Sequence, residues 1–490
     1  MDALFINGPF LEGFSRESRS PAVTKSGTLY YPGWLAYACG YLEQNGLQCR
    51  LIDSIADKLT FEQSVQSAIS GKPLVVFIGT STPSIEDDAK FAQAIKEHLK
   101  NSIICLVGTH ASSTPNETLE SYPWVDVIAR REYDLTALEL VRRVLNQNSW
   151  EDVEGISFMR DGRVINNPDR PYIKNLDDLP FVSEVYKRHL TVGNYYYGHV
   201  KYPMVSIFTS RGCNAKCTYC LYPQTMFGQF RSRSPQNIAA EFSWISKNLP
   251  MVREVLVDDD TFTMFPEHAR EVARELIKIK NFLPWTCEVR ANLDFETLGL
   301  MKKAACRLVV VGFESVDQDV LNNVKKGIKQ SKVDAFVDAA HTAGLKIHAC
   351  FMAGNPGDTK ETLHKTLQWA MMRNFDTAQF FPLQLYPGTR AFNDAEAEGR
   401  LKQQSYRNWV TADGMHNMTL HNNDHGLTAK DVLDFCDYAR RKFYLRPKYI
   451  MRKSLDIILD HAEFKKNVKG FLSLRKHLFK KVSKEFSIGS

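Results

Sequence analysis

The chain has 490 residues, more than one ordinary domain holds, so two or three domains are expected. At 44% hydrophobic and 24% charged it is neither disordered nor collagen-like, and it contains no run of 18 apolar residues to serve as a membrane-spanning helix. The opening MDALFINGPF lacks a basic leader and reads at once as a strand, so a cytoplasmic protein without a signal peptide is expected. The net charge of +6 is unevenly placed. Residues 440–490 carry 15 Lys and Arg against 4 Asp and Glu, leaving a mildly acidic body with a basic tail, which argues against a nucleic-acid-binding body.

Residues 1–148 alternate short apolar runs with amphipathic stretches. The runs Ala3–Ile6, Cys49–Ile52, Leu74–Gly79, Ile103–Gly108 and Val125–Ile128 predict strands, with helices such as Gly33–Gln44 and Ala89–Leu99 between them. This rhythm predicts a doubly wound, Rossmann-like parallel sheet, which binds ligands beyond the carboxyl ends of its strands. Those ends read NGPF, GTSTPS and VGTHAS, small polar loops that let a ligand approach the backbone. No G-x-G-x-x-G follows the first strand, which argues against a nicotinamide dinucleotide. A plain flavodoxin-like domain with polar loops fits these residues too.

The loops Gly79-Thr80-Ser81-Thr82-Pro83 and Gly108-Thr109-His110-Ala111-Ser112, with Val125-Asp126-Val127, resemble the cobalamin-binding domain that precedes many radical SAM enzymes. That family's usual Gly-Gly is Gly-Thr here, and its Gly-Glu after the fifth strand appears as Arg131-Glu132. The resemblance implies cobalamin contacts at Ser81, Thr82, Pro83, Gly108, Thr109 and His110. The Asp-x-His-x-x-Gly element that ligates cobalt elsewhere is absent after the first strand, so His110 is expected near the corrin or its tail and not on the cobalt.

Residues 149–200 hold turn chemistry, Asp161-Gly162, Asn166-Asn167-Pro168 and Asp177-Asp178-Leu179-Pro180, and are read as a linker with a hairpin around Ile156–Met159 and Val164–Ile165. A strand at Met204–Ser210 then runs into Arg211-Gly212-Cys213-Asn214-Ala215-Lys216-Cys217-Thr218-Tyr219-Cys220. Three thiolates so close can hold three irons of a [4Fe–4S] cluster. Structural zinc, the competing reading, wants four closed ligands, and no second C-x-x-C is present. Seven further cysteines are scattered in apolar runs, where they pack as small hydrophobes.

The C-x₃-C-x₂-C spacing is similar to the signature of the radical SAM superfamily. By that resemblance Cys213, Cys217 and Cys220 hold the cluster, the open iron chelates S-adenosylmethionine, and one-electron cleavage releases a 5′-deoxyadenosyl radical that abstracts hydrogen from an unactivated carbon. Further strands are predicted at Glu254–Val257, Trp285–Arg290, Leu308–Gly312, Lys346–Met352 and Ala378–Leu383, with helices such as Pro235–Lys247 and Pro266–Lys280. The six units match the family's partial (β/α)₆ barrel over residues 201–395, whose active site lies at the carboxyl ends of the strands. Polar groups fall there: Asp258-Asp259-Asp260, Arg290, Glu314, Gly354 and Gly357. The resemblance places Tyr219, Asp259, Asp260, Arg290, Glu314, Gly354 and Gly357 around S-adenosylmethionine. A solvated acidic turn is the plainer reading of the three Asp.

Cys217–Thr225, Arg231–Ala239 and Gly312–Gly327 resemble the cobalamin-binding group that includes hopanoid-biosynthesis-type cyclitol ether synthases and class B C-methyltransferases. The implied function is C-methylation through methylcobalamin, or alternatively a radical rearrangement or ring formation on a lipid-linked sugar. The acceptor, a small molecule, lipid-linked sugar or protein side chain, stays open, as does the reading of a cluster protein that only carries electrons. An electron donor such as flavodoxin or ferredoxin is implied, and no nucleic acid. Residues 396–490 are expected to be helical. Their basic and aromatic stretch, Phe464–Phe486 above all, fits either a helix packed on the barrel or peripheral contact with an anionic membrane.

Overall fold

The computed structural model of the protein describes residues 1–402 and 404–459. Its first sheet contains β1 (Ala3–Asn7), β2 (Cys49–Asp53), β3 (Val75–Thr80), β4 (Ile103–Gly108), β5 (Val127–Ala129), β6 (Ile156–Arg160) and β7 (Arg163–Asn166), in the order β2-β1-β3-β4-β5-β6-β7. The five parallel strands pair in the doubly wound order, with the switch point between β1 and β3. Strands such as ALFIN and VVFIGT are buried on both faces, which is why they read as unbroken apolar runs and not as alternations. Helices α1 (Gly33–Gln44) and α2 (Ile85–His98) are among those covering the sheet.

One expectation is corrected here. The hairpin assigned to the linker is not a free connector: β6 pairs antiparallel with β5, and β7 with β6, so the first sheet extends to Asn166. Phe158 and Ile156 are buried against the domain, and this apolar contact recruits the hairpin.

The second sheet is wholly parallel and in chain order: β8 (Met204–Ile207), β9 (Glu254–Val257), β10 (Trp285–Val289), β11 (Cys306–Glu314), β12 (Lys346–Ala353) and β13 (Thr377–Pro382). Helices α3 (Pro235–Asn248) and α4 (Pro266–Lys278) both start with Pro at the first turn, where its missing N–H costs nothing. The α4 positions Ala269, Val272, Ala273 and Leu276 form the buried face. The predicted strand through Ser210 breaks after Ile207. Ser210–Arg211 instead pairs with Arg231–Ser232 as a short antiparallel ribbon at the top of the barrel.

The C-terminal region is also corrected. Residues 398–428 are mostly irregular, held by bridges such as Leu401 to Leu420 and Val410 to His416. Helical structure resumes with α5 (Ala429–Tyr444) and α6 (Pro447–Leu459). Helix α5 covers the open barrel edge, where the Tyr444 hydroxyl accepts from Ala378 N (3.0 Å) and donates to Ala378 O (2.7 Å), closing the ladder of β13. The stretch Phe464–Phe486 lies outside the described residues. No helix among the described residues is long and apolar enough to cross a membrane.

The two sheets are joined through Arg211. Its guanidinium is 3% exposed and donates to Glu132 Oε1 (2.7 Å) and Asp134 (2.7 and 3.1 Å), both from the first domain. Removing it would leave the buried Asp134 carboxylate without its cation, while Glu132 would keep Arg231. Arg211→Ala is therefore expected to lower unfolding stability by about 3–5 kcal/mol, read by denaturant titration, with Arg211→Lys recovering only part because it cannot make the forked contact.

Candidate functional site

The cysteine loop leaves the ribbon through Gly212, whose φ is +80°. A Cβ there would lie 2.4 Å from Gln229 O and 2.6 Å from Gly228 O, so only glycine fits. The loop is tied down from several sides. Cys213 N donates to Gly228 O, Thr218 N to Val324 O, and the Gln224 amide to the carbonyls of Cys217, Thr218 and Cys220. Fixed carbonyls leave the thiols to face inward, and Cys213, Cys217 and Cys220 all line one cavity of about 650 Å³.

The donor set fits a polynuclear cluster better than a single ion. Three thiols on one loop leave a further coordination position open, as an open-iron cluster needs and a closed structural zinc site does not. Among the described residues another trio, Cys39, Glu43 and His189, places its possible ligand atoms within 4.8 Å of one another. The Cys39 trio is explained without metal, since His189 Nε2 reaches Glu43 (2.8 Å) and Nδ1 faces the Leu51 N–H. Burial pushes the Cys213 and Cys220 thiols up from their ordinary range, with Asp260 and neighbouring cysteines adding to both; the Ala215 N–H pulls Cys213 back. A bound cationic metal is what turns such thiols into thiolates.

Strand-end groups ring the same cavity. Tyr219 Oη donates to Glu314 Oε1 (3.1 Å), as does Lys326 Nζ (2.7 Å), while Arg290 Nη2 donates to Lys326 O (2.5 Å). Glu314 sits at φ +63°, a left-handed position next to an irregularity in the β11–β12 register. Gly312 makes room for the folded-back carboxylate: a Cβ would lie 2.4 Å from Glu314 Oε1.

The three adjacent Asp face three ways. Asp258 accepts from Arg19 Nη1 (2.9 Å) and Tyr197 Oη (3.0 Å). Asp259 is fully buried and turned from the cavity, accepting from the backbone and hydroxyl of Thr209 (2.6 and 2.5 Å) and of Ser210 (3.1 and 2.7 Å); burial raises it to about 6 against those four donors. Asp260 lines the cavity, with Arg19 Nε 3.9 Å away. Of the seven expected S-adenosylmethionine residues, Tyr219, Asp260, Arg290 and Glu314 line the cavity. Asp259 instead pins the start of the cysteine loop. Gly354 and Gly357, at φ +87° and +88°, form a turn packed on Val432 and Asn323, where the C-terminal region docks. Sequence reasoning missed Arg19, Glu288 and Lys326, which also line it.

The first domain contributes a second group of polar loops. Gly108, at φ +112°, and Thr109 border a hollow of about 20 Å³ at the switch point, beside Asn7 and Thr80. The Thr109 hydroxyl is buried with no hydrogen-bond partner, the kind of unmet polar atom a ligand of this edge would satisfy. Ser81, Thr82, Pro83 and His110 lie deeper. Ser81 bonds to Ser84 (2.8 Å), and His110 reaches Thr82 (3.2 Å) and Thr114 (3.2 Å) beneath the Tyr406 ring. Burial lowers His110 to about 3, so it is neutral, with both nitrogens engaged. The first domain also lines the 650 Å³ cavity, through Ser18, Arg19, Ser20 and Tyr30.

Residues 19–141 match the B12 binding domain and residues 207–370 the Radical SAM superfamily. The chain is 29% identical to an uncharacterized methyltransferase of Pyrococcus horikoshii, over 91% of this chain and 94% of that protein. It is 24% identical to the anaerobic magnesium-protoporphyrin IX monomethyl ester cyclase of Cereibacter sphaeroides, over 85% of this chain and 67% of that protein. The fold is shared with the radical S-adenosylmethionine methyltransferase TsrM from Kitasatospora setae, solved with cobalamin and a [4Fe–4S] cluster bound (TM-score 0.65, 15% identity, 81% of this chain and 78% of that one). With a B12-binding sheet first and a cysteine-bearing barrel second, this chain belongs to the cobalamin-binding radical SAM enzymes, and its cofactors are a [4Fe–4S] cluster, S-adenosylmethionine and cobalamin.

Proposed function

We propose that the enzyme methylates an unactivated carbon of a bound acceptor. The observation that carries this reading is the shared chamber: the cysteine loop and the Ser18–Tyr30 segment of the B12-binding domain open on one cavity. When bound, the cluster, S-adenosylmethionine and cobalamin supply hydrogen abstraction and a methyl group. The chain supplies position. Cys213, Cys217 and Cys220 hold three irons; Asp260 offers a carboxylate to the S-adenosylmethionine ammonium, and Arg290 a guanidinium to its carboxylate. Tyr219, Glu314 and Lys326 form a neutralised, hydrogen-bonded wall beside it. Thr109, with Gly108, offers the first domain's unmet hydroxyl to cobalamin. Flavodoxin or ferredoxin supplies the electron.

A second reading, ring formation without methyl transfer, is favoured by the cyclase among the relatives. By-product counting separates the two. Methylation predicts S-adenosylhomocysteine and 5′-deoxyadenosine in roughly equal amounts, each matched to product, with label from methyl-labelled S-adenosylmethionine in the product. Product without the label sinks the methyl-transfer reading.

The cysteines have their own test. Replacing Cys213, Cys217 or Cys220 with Ser should abolish a four-iron cluster and S-adenosylmethionine cleavage, measured by iron content and 5′-deoxyadenosine release, while Cys287→Ser, buried in the wall of β10, should leave both near the parent level.

Peripheral contact of the basic tail with anionic lipid is also proposed. Exposed Met451 and exposed Lys448 on α6 support it. Deleting residues 464–490 should weaken binding to anionic vesicles, less so in added salt; unchanged binding refutes the contact.

A further inference from the structure

One carboxyl in the cavity has only a distant charge partner. Glu288, on β10, lines the cavity and accepts no hydrogen bond from any described residue; the Arg19 guanidinium stands 3.9 Å away. The neighbouring carboxyls are engaged, Glu314 by Lys326 and Tyr219, and Asp258 by Arg19 and Tyr197. Burial pushes Glu288 up to about 8, with Arg19 pulling against it, so at neutral pH it is largely a protonated acid able to donate as well as accept. Its side chain keeps 20% of its surface open to the cavity, so a ligand entering there meets a carboxyl with hydrogen-bonding capacity to spare.

A second group faces the same space. Ser20 Oγ lies 3.0 Å from Tyr386 Oη and 2.8 Å from His416 Nε2, bringing together the first domain, the end of β13 and the C-terminal region. Burial, with Lys25 nearby, lowers His416 to about 4, so it is neutral; its Nε2 also faces the Ser20 carbonyl (3.3 Å), while the Ser20 and Tyr386 hydroxyls can each donate or accept. Such amphoteric groups match hydroxyls, which both donate and accept. Charged ligands fit poorly beside Glu288. A cation meets the Arg19 guanidinium, and an anion meets Asp258 and Asp260.

We infer that this part of the cavity binds the acceptor, and that the acceptor is a neutral, hydroxyl-bearing molecule held by Glu288 and the Ser20–Tyr386–His416 triad. The word acceptor rests on the methyl-transfer reading; the ligand chemistry rests on the cavity alone.

The test uses holoenzyme with S-adenosylmethionine and three probes on one ring skeleton, myo-inositol, cyclohexylamine and cyclohexanecarboxylate, read by saturation-transfer NMR. Binding of myo-inositol is expected, weakened about tenfold by Glu288→Ala, the worth of one hydrogen bond to a buried group. Glu288→Gln, nearly isosteric, should restore most of it, and His416→Ala should weaken it as well. A Glu288-dependent response to the amine or the carboxylate instead, a Gln variant as weak as the Ala variant, or no Glu288-dependent probe at all overturns the inference. The methyl-transfer reading fails separately, through the by-products and the label, whatever the probes do.

Discussion

Arg211 stands two residues before Cys213, buried between Glu132 and Asp134 and surrounded by the rings of Trp34, Tyr37 and Phe227, whose centroids lie 5.4, 5.0 and 5.6 Å from its guanidinium carbon. A buried cation must be matched locally, and here the matching carboxylates belong to the other sheet. Glu132 also accepts from Arg231 (2.8 Å), the partner of Arg211 across the ribbon, so both strands feeding the cysteine loop are charge-locked to the B12-binding domain. The position of the thiols is thereby set against the loops of the first domain, 80 residues upstream. The cavity, whose walls come from both domains, depends on this pairing together with contacts such as Arg19 to Asp258 and Tyr37 to the Phe208 carbonyl.

Asp259 does within the barrel what Arg211 does between domains. Burying a carboxylate is costly, and four donors from Thr209 and Ser210 offset that cost while fixing the break between β8 and the ribbon. Thus the residues next to the signature, and not only the cysteines, decide where the loop points. Asp258 and Asp260 flank it with opposite duties, one facing Arg19 and one the cavity.

Much of this was legible in the sequence where local rules dominate. The strands of both sheets follow from apolar runs between turns, because a parallel sheet covered on both faces demands such runs. The cysteine spacing marks its loop because cluster ligation is a local constraint. Arg131-Glu132 is instructive: the family's Gly-Glu resemblance points to it, and Arg131 indeed adopts φ +61°, the left-handed region where glycine is easiest, while Glu132 makes the pairing with Arg211. Long-range partners were not legible. Nothing in Ser18-Arg19-Ser20 says that Arg19 reaches Asp258, 239 positions away, or that Ser20 meets His416, 396 positions away. The hairpin joins the first sheet for apolar burial that turn chemistry does not report. Residues 398–428 mislead for a related reason. Their contacts, Tyr406 against His110 and Arg407 3.6 Å from Asp87, lie on the first domain, so helical propensity gives way to an irregular path across that surface.

The charge balance at the top of the cavity follows from the same arrangement. Arg19 makes short contacts with Asp258 and with the Asp259 carbonyl, and stands 3.9 Å from both Asp260 and Glu288, one guanidinium among three carboxyls. Burial raises the proton affinity of all three, and Arg19 opposes that rise. Glu288, pushed up to about 8 by burial, can relieve the excess by holding a proton. Asp260 lines the cavity beside the cysteines, where a cationic ligand would offset the cost of its burial. S-adenosylmethionine carries both an ammonium and a sulfonium, and Asp260, beside the cysteines, is the carboxyl placed to meet them. Glu288 shares the same guanidinium, so under the proposed reading a charged cosubstrate and an uncharged acceptor would meet at Arg19.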